Sequence, residues 1–352
     1  MTKKRKPRRV RGLPGRARAA RELRLIRDKE RELRAVILRL RALESVINDA
    51  TFADLDVCFR EVRRLAIAPK GLLSEKFRKE LWPFLLTGQT VTRAKLTSCP
   101  HTEISAVKTH RDTAQVEKDV ARSLWHYDIL QGINESERRS KRRALTRIIM
   151  GVLNANDELF YFQGYHDIVS VFLLTLGYTK NTLQAVQNVS ETYHREPMRS
   201  GFEQVMGITR LLFPLLDAAD ELLYQHLHES RVEPFFALPW IITWFAHQLR
   251  HFEDVARLYD VFLVTHPLFS LYVSASILIE SRDTILRSEL DFGTMHAMLS
   301  KLPLSMDIEK VISGALVLYH QLPPIELRQR CNVEFATMYG TLKRLTPLPL
   351  HL

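Results

Sequence analysis

The sequence predicts an all-α fold, and three observations carry that prediction. Helix formers such as Leu, Arg, Ala and Glu dominate, whereas glycine is scarce at 13 of 352 residues. Strand-like alternation of apolar and polar residues is rare. Apolar residues instead recur at helical spacing along most of the chain, in segments joined by short connections. No βαβ alternation and no fixed-period repeat is visible. Hydrophobic residues make up 46% and charged residues 26% of the chain, as in folded globular proteins. A chain of 352 residues suffices for one large domain or two smaller ones, each with a core.

Residues 1–18 are rich in Arg and Lys, contain Pro7 and Pro14, and read as disordered. A helix starts near Ala19. Ile26, Leu33, Leu40 and Ile47 recur every seven residues, with Val36 and Leu43 at the intermediate position, which makes a short heptad stripe. The stripe fits a helix packed on the body, a coiled-coil dimer or a contact with acidic lipid headgroups, and the residues alone leave the three open. A second helix spans 52–66 and ends before Pro69-Lys70-Gly71. Ser74 then caps a helix over 75–86 with Phe77, Leu81, Trp82 and Leu85 on its apolar face. Pro83 inside it predicts a kink or a break. Residues 87–111 are polar and read as a loop. Helical patterns follow at 112–130, 137–155, 165–177, 182–194, 200–215, 217–228, 235–250, 252–264, 268–282, 291–301 and 305–320. The expected product is a bundle-like or irregular all-α fold of a dozen or more helices.

The net charge of +11 is concentrated at one end. Residues 1–45 carry 17 Lys and Arg against 5 Asp and Glu, and the remainder carries 34 against 35. The body is therefore near neutral, which argues against nucleic acid as its partner. Cys58, Cys99 and Cys331 lie far apart with no CxxC pair, so no disulfide framework is predicted and a reducing, cytoplasmic setting fits. No apolar core of a signal peptide follows the basic start. The most apolar runs, 169–176 and 235–246, fall short of the roughly 18–20 residues of a membrane span and read as buried helices.

Two short stretches could carry chemistry. In Val116-Glu-Lys-Asp119-Val-Ala-Arg122, Asp119 and Arg122 share a helix face. Taken alone they are an ordinary surface ion pair. In Tyr161-Phe-Gln163-Gly164-Tyr165-His166-Asp167, an amide and a glycine lie at a helix junction. Taken alone this is a tight interhelix turn. Together they supply what GTP hydrolysis on a partner needs: positive charge for the γ-phosphate oxygens and a group to orient the attacking water. Only the fold could bring them to one surface. Other candidates carry less. His166 and Asp167 are sequence neighbours, expected on different faces of a helix, and no GxSxG elbow accompanies them. Asp291-Phe292-Gly293 lacks the other kinase motifs. Asn188-Val-Ser190 matches a glycosylation acceptor without other signs of secretion. The histidines lack metal-site spacing. No Walker loop is present, so the chain is not expected to bind nucleotide itself.

Val116-x-x-Asp119-x-x-Arg122 resembles the IxxDxxR motif of TBC-domain Rab GTPase-activating proteins, and Tyr161-x-Gln163-Gly164 is similar to their YxQG motif. Arg78-Lys-Glu-Leu-Trp82-Pro83-Phe-Leu-Leu86 resembles their opening RxxxWPxLL signature. Trp240-Ile-Ile-Thr-Trp244-Phe245, followed by Arg257-Leu-Tyr-Asp260, resembles two later segments. Order and spacing agree over roughly residues 50–330. Gly164-Tyr-His-Asp-Ile168 and the run at 321–327 are similar to the endoplasmic-reticulum-associated subgroup, which ends in a C-terminal membrane helix. No segment here is long and apolar enough to be that helix.

The resemblance implies a multi-helix TBC domain of two helical subdomains at 49–330, after a basic helical extension at 1–48 and before a tail at 331–352. It implies that Arg122 is an arginine finger and Gln163 a glutamine finger, offered in trans to a GTP-bound Rab GTPase in vesicle traffic. Asp119 would hold the Arg122 loop, Tyr161 would position Gln163, and Gly164 belongs to the same motif. Arg78, Trp82 and Trp240 would be structural, as would Arg257 and Asp260 near the partner surface. The chain would need no cofactor of its own, since GTP and Mg belong to the GTPase. It would be a catalytic activator rather than an enzyme with its own pocket. Residues 1–45 would offer an acidic-membrane contact at the endoplasmic reticulum or Golgi. Two departures stand out. Val116 replaces Ile, and Tyr165-His166-Asp167 replaces the commoner Met-Asn. The alternative is a non-catalytic Rab-binding scaffold of the same fold; retention of both fingers favours catalysis.

Overall fold

The computed structural model describes residues 15–43, 49–87 and 110–331. The expectations for residues 1–14, Ile47, Cys99, most of the 87–111 loop and the tail beyond 331 lie outside the described residues. Among the described residues the chain is helical with no β-strand. The first helices are α1 (Gly15–Leu43), α2 (Asp49–Ile67), α3 (Glu75–Thr87), α4 (Thr113–Ala121), α5 (Glu135–Ala155), α6 (Tyr165–Leu176) and α7 (Lys180–Thr192). They pack mainly on one another. A second set comprises α8 (Glu203–Arg210), α9 (Leu212–Ala219), α10 (Glu221–Glu229), α11 (Leu238–Ile242), α12 (Phe252–Phe262), α13 (Phe269–Glu280), α14 (Arg282–Leu286), α15 (Phe292–Leu299), α16 (Ile308–Gln321) and α17 (Pro324–Cys331). At its centre α13 is buried from Phe269 to Leu278, as its apolar character on every side demands. Helix α12 touches α2 and α6 in the first set and α16 in the second.

Several elements differ from the sequence expectation. The pattern at 112–130 is not one helix. Helix α4 ends at Ala121, Leu124 adopts a left-handed φ of 63°, and a 3-10 turn follows at Asp128–Leu130. The pattern at 235–250 breaks after α11, because Trp244 and Phe245 have φ of 50° and 63° and cannot continue a helix. Both rings are buried, so tertiary packing overrides the helical pattern. The segment 200–215 divides into α8 and α9, and α17 is an additional helix that opens on Pro324 at its first position. Pro83 does not break α3. Asp291 accepts the Thr294 amide at 2.8 Å, so Asp291-Phe292-Gly293 is a helix cap.

Helix α1 packs on the body. Leu33, Val36, Ile37 and Leu40 are buried against α2 and α3, and Lys29 Nζ donates to the carbonyls of Ala68 (3.0 Å) and Pro69 (2.7 Å) beyond the end of α2. Half of the basic extension is therefore a core element. Deleting residues 1–45 would remove that core contribution along with the charge.

Arg257 and Asp260, expected near the partner surface, are instead buried in the seam between the two helix sets. Asp260 is 0% exposed and accepts from Arg78 Nε (3.1 Å), Trp82 Nε1 (2.9 Å) and the Leu72 amide (2.9 Å). Burial pulls the Arg78 pKa down, but Asp260 and Glu253 more than offset this and the net shift is upward. One turn earlier, Arg257 donates to the carbonyls of Ala66, Ile67 and Ala68 and to Glu309 on α16. Gly71, at φ 51°, lets the α2–α3 turn pass this cluster: a Cβ there would lie 2.9 Å from Arg257 Cδ and closer still to Asp260. Removing one partner of a buried charge pair costs about 3–5 kcal/mol. Asp260→Ala is expected to destabilise the fold by about that amount in chemical unfolding. Glu309→Ala is expected to cost less, because Arg257 keeps its backbone acceptors.

Candidate functional site

Arg122 stands at the C-cap of α4, where the helical pattern stops. Its side chain is 75% exposed, and its guanidinium donates to Asp119 Oδ1 at 3.0 Å. Asp119 is buried, and its carboxylate also accepts from Gln115 Nε2 (3.1 Å) and from the Tyr161 hydroxyl (2.9 Å). The chain after Arg122 is clamped from α5. Arg142 donates to the Ser123 carbonyl (2.9 Å), and Arg138 donates to the Leu124 carbonyl. Arg138 also lies 3.5 Å over the ring of the exposed Trp125.

Gln163 occupies the turn before α6 and is exposed. Its segment is held on both sides. Arg111 donates to the carbonyls of Asp157 (2.7 Å) and Leu159 (2.9 Å), and Asp112 accepts the Tyr161 amide (2.9 Å). Gly164 caps α6 with φ 105° and ψ −16°, and a Cβ there would stand 2.8 Å from Thr243 Cγ2. Both the conformation and the space demand glycine. The Asp119–Tyr161 hydrogen bond thus joins the Arg122 segment to the Gln163 segment.

The line of polar groups continues past Tyr161. Its oxygen lies 2.9 Å from His166 Nδ1, His166 Nε2 lies 3.3 Å from Asp167 Oδ1, and His247 Nδ1 lies 2.8 Å from Asp167 Oδ2. The expectation that His166 and Asp167 point apart is therefore wrong. In the first turn of α6 their side chains meet. Burial alone would push the buried Asp167 carboxyl up, but the His247 hydrogen bond and the charges of His166, His247 and His126 more than offset it, and its pKa falls. Burial and then Asp119 push the Tyr161 phenol up, so it stays protonated.

The irregular segment after α11 supports both sides of this arrangement. Thr243 packs against Gly164, and His247 meets Asp167. The Ala246 carbonyl accepts from Tyr127 Oη (2.8 Å) and lies 3.0 Å from His126 Nε2, both beyond Arg122 in the chain. Trp240 is buried between Phe236 and Phe245 beneath this turn. The structure therefore brings Arg122, Asp119, Tyr161, Gln163 and Gly164 into one assembly. Arg78, Trp82, Arg257 and Asp260 form the separate buried cluster of the seam. Sequence reasoning missed Arg138, Arg142 and His247, and it set His166 aside. The only sequence signal for His166 and Asp167 was their position directly after Gln163-Gly164. Among the described residues, no group of three or more His, Cys, Asp or Glu side chains is arranged to hold a metal ion, and no helix is long and apolar enough to cross a membrane.

Two outcomes test this geometry. Gly164→Ala is expected to cost on the order of 1–3 kcal/mol in thermal unfolding. Adding Thr243→Ser should recover part of that loss, since it removes the obstructing methyl but not the strain in φ. The second test concerns pH. The Asp167 hydrogen bond raises His247 from 6.5, so this contribution to stability is full below pH 6.5 and is lost as pH rises through the folded-state value. Asp167 is lowered from 3.8, so its contribution is present above pH 3.8 and is lost as pH falls through its folded-state value. The stability gap between the parent and His247→Ala should be widest between pH 3.8 and 6.5 and narrow on both sides.

Comparison with known proteins gives a consistent picture. The model of the Rab-GTPase-TBC domain family matches residues 75–286. TBC1 domain family member 20 of Bos taurus is 36% identical over 273 residues, which cover 78% of this chain and 66% of that protein. GTPase-activating protein gyp10 of Schizosaccharomyces pombe is 27% identical over 289 residues, covering 81% of this chain and 75% of that one. The crystal structure of the Ypt/Rab-GAP domain of Gyp1p superposes with a TM-score of 0.51 at 18% identity, covering 81% of this chain and 99% of that domain, and shows a shared fold. The matched part is thus just under two thirds of the bovine relative. From its motifs, its helical architecture and these matches, the chain belongs to the Rab-GTPase-TBC domain family.

Proposed function

We propose that this chain binds a Rab-type small GTPase in its GTP-bound state and accelerates GTP hydrolysis in trans. Arg122 is the arginine finger and Gln163 the glutamine finger. One observation carries this reading: an exposed guanidinium and an exposed carboxamide sit on two segments joined through Asp119 and Tyr161. Phosphoryl transfer to water demands little covalent help. It demands positive charge on the γ-phosphate oxygens and an oriented water. Arg122 supplies the first and Gln163 the second. GTP and Mg come with the GTPase, so the chain needs no cofactor of its own. Asp119, Tyr161 and Gly164 hold the fingers, and Arg78, Trp82, Trp240, Arg257 and Asp260 hold the frame behind them.

The names of the relatives support the same reading, since gyp10 is called a GTPase-activating protein and the superposed structure a Ypt/Rab-GAP domain. The setting we infer is vesicle traffic at endoplasmic reticulum or Golgi membranes. There the exposed Arg24, Arg27, Arg31 and Arg34 of α1 would meet acidic headgroups.

Single-turnover GTP hydrolysis across a panel of Rab GTPases tests the mechanism. Arg122→Ala is expected to lower the stimulated rate by about 10³–10⁵. Gln163→Ala is expected to lower it as well, with Rab binding retained in both. Full stimulation by both variants overturns the finger assignment. Binding with no stimulation by the parent would mark a non-catalytic scaffold instead.

A further inference from the structure

The polar line from Arg122 to His247 has a fixed proton count. Asp119 accepts from Arg122, Gln115 and the Tyr161 hydroxyl, and an ionised carboxylate only accepts. A phenol has one proton. If Tyr161 spends it on Asp119, its oxygen must accept from His166 Nδ1, which lies 2.9 Å away. His166 Nδ1 is therefore the donor. On the other edge of the ring, Nε2 faces Asp167 Oδ1 at 3.3 Å, and the second oxygen of Asp167 takes His247 Nδ1 at 2.8 Å. His166 is thus held between Tyr161 and Asp167, with its Nδ1–H on the phenol oxygen.

Without a donor at that place, nothing holds the Tyr161 hydroxyl on Asp119. The buried Asp119 then loses the donor that fixes its second oxygen. The ionisable groups facing His166 are Tyr161 and Asp167 directly. Asp119 and Arg122 stand behind Tyr161, and His247 and His126 act on Asp167 from the segments packed against α6.

We propose that His166 is a positioning residue for the arginine finger: its Nδ1–H commits the Tyr161 hydroxyl to Asp119 and so fixes the carboxylate that carries Arg122. This inference rests on the reading of Arg122 as the finger. His166 itself touches neither nucleotide nor water in it.

Two variants separate positioning from bulk structure. His166→Asn keeps an amide N–H near the place of Nδ1. His166→Leu keeps volume and removes the donor. Single-turnover hydrolysis is measured with a responsive Rab over a range of concentrations of the activator. The Leu variant is expected to lose roughly tenfold to a hundredfold in maximal stimulated rate, with little change in half-saturating concentration. The Asn variant is expected to retain most of the rate. Leu behaving as the parent overturns the inference, as do Asn and Leu being equally impaired. If Arg122→Ala leaves stimulation intact, the finger reading fails, and that result is distinct from either. Imidazole NMR of the free protein gives an independent measurement. A proton on His166 Nδ1 is expected, with its signal displaced in Tyr161→Phe, and a bare Nδ1 in the folded protein overturns the inference whatever the GTPase does.

Discussion

Asp260 is a carboxylate with no exposure to solvent, and it survives there because a guanidinium, an indole N–H and a backbone amide all point at it. Leaving it unpaired, or leaving Arg78 unpaired, would cost more than most single contacts in the protein supply. The constraint fixes where α3 lies relative to α12. Trp82, held by the same carboxylate, packs edge-on to Phe172 of α6 at 5.6 Å and stacks on Tyr259 at 5.9 Å. Helix α6 begins at Gly164, so the position of Gln163 traces back through Trp82 to Asp260. Arg257 does the same for α2 and α16. The framework motif is thus mechanically upstream of the Gln163 motif, although the two do not touch.

The turn after α11 is the second structural requirement. Helical continuation through Trp244 and Phe245 would carry Ala246 and His247 away from their partners. Two consecutive left-handed residues instead aim Ala246 at Tyr127 and His126 and His247 at Asp167, while Thr243 at the end of α11 meets Gly164. Such conformations are unfavourable for bulky residues and persist where surrounding packing enforces them. Here the enforcing contacts are aromatic. Trp244 packs against Tyr193, Tyr259 and Phe262. A strained turn locked by rings therefore supports two exposed side chains on different segments.

Much of this was legible in the sequence. The helical periodicity located most of the elements, and the Arg122 and Gln163 motifs identified the segments that the fold joins. What could not be read had specific causes. The pattern at 235–250 has helical spacing, but the burial of Trp244 and Phe245 decides their backbone. The α4 pattern ran on to residue 130 because nothing local announces that guanidiniums from α5 will take the Ser123 and Leu124 carbonyls. Arg257 and Asp260 were expected near the partner surface because the family resemblance implied it. Their burial depends on partners in α2, α3 and α16, far away in sequence. His166 and Asp167 were judged by ideal helix geometry, which describes a helix interior better than its first turn.

The seating of α1 has an electrical meaning. Leu33, Val36, Ile37 and Leu40 anchor one face in the body, so the opposite face, with Arg24, Arg27, Arg31 and Arg34, cannot swivel. Residues 15–43 carry 10 basic groups against 4 acidic ones. A lopsided charge on a rigid mount contributes a dipole whose axis is fixed with respect to Arg122 and Gln163. In the field of a negatively charged surface such a body rotates before it touches, within the roughly 8–10 Å over which salt leaves that field unscreened. Any alignment with such a surface would set the orientation of Arg122 and Gln163 in the same rotation.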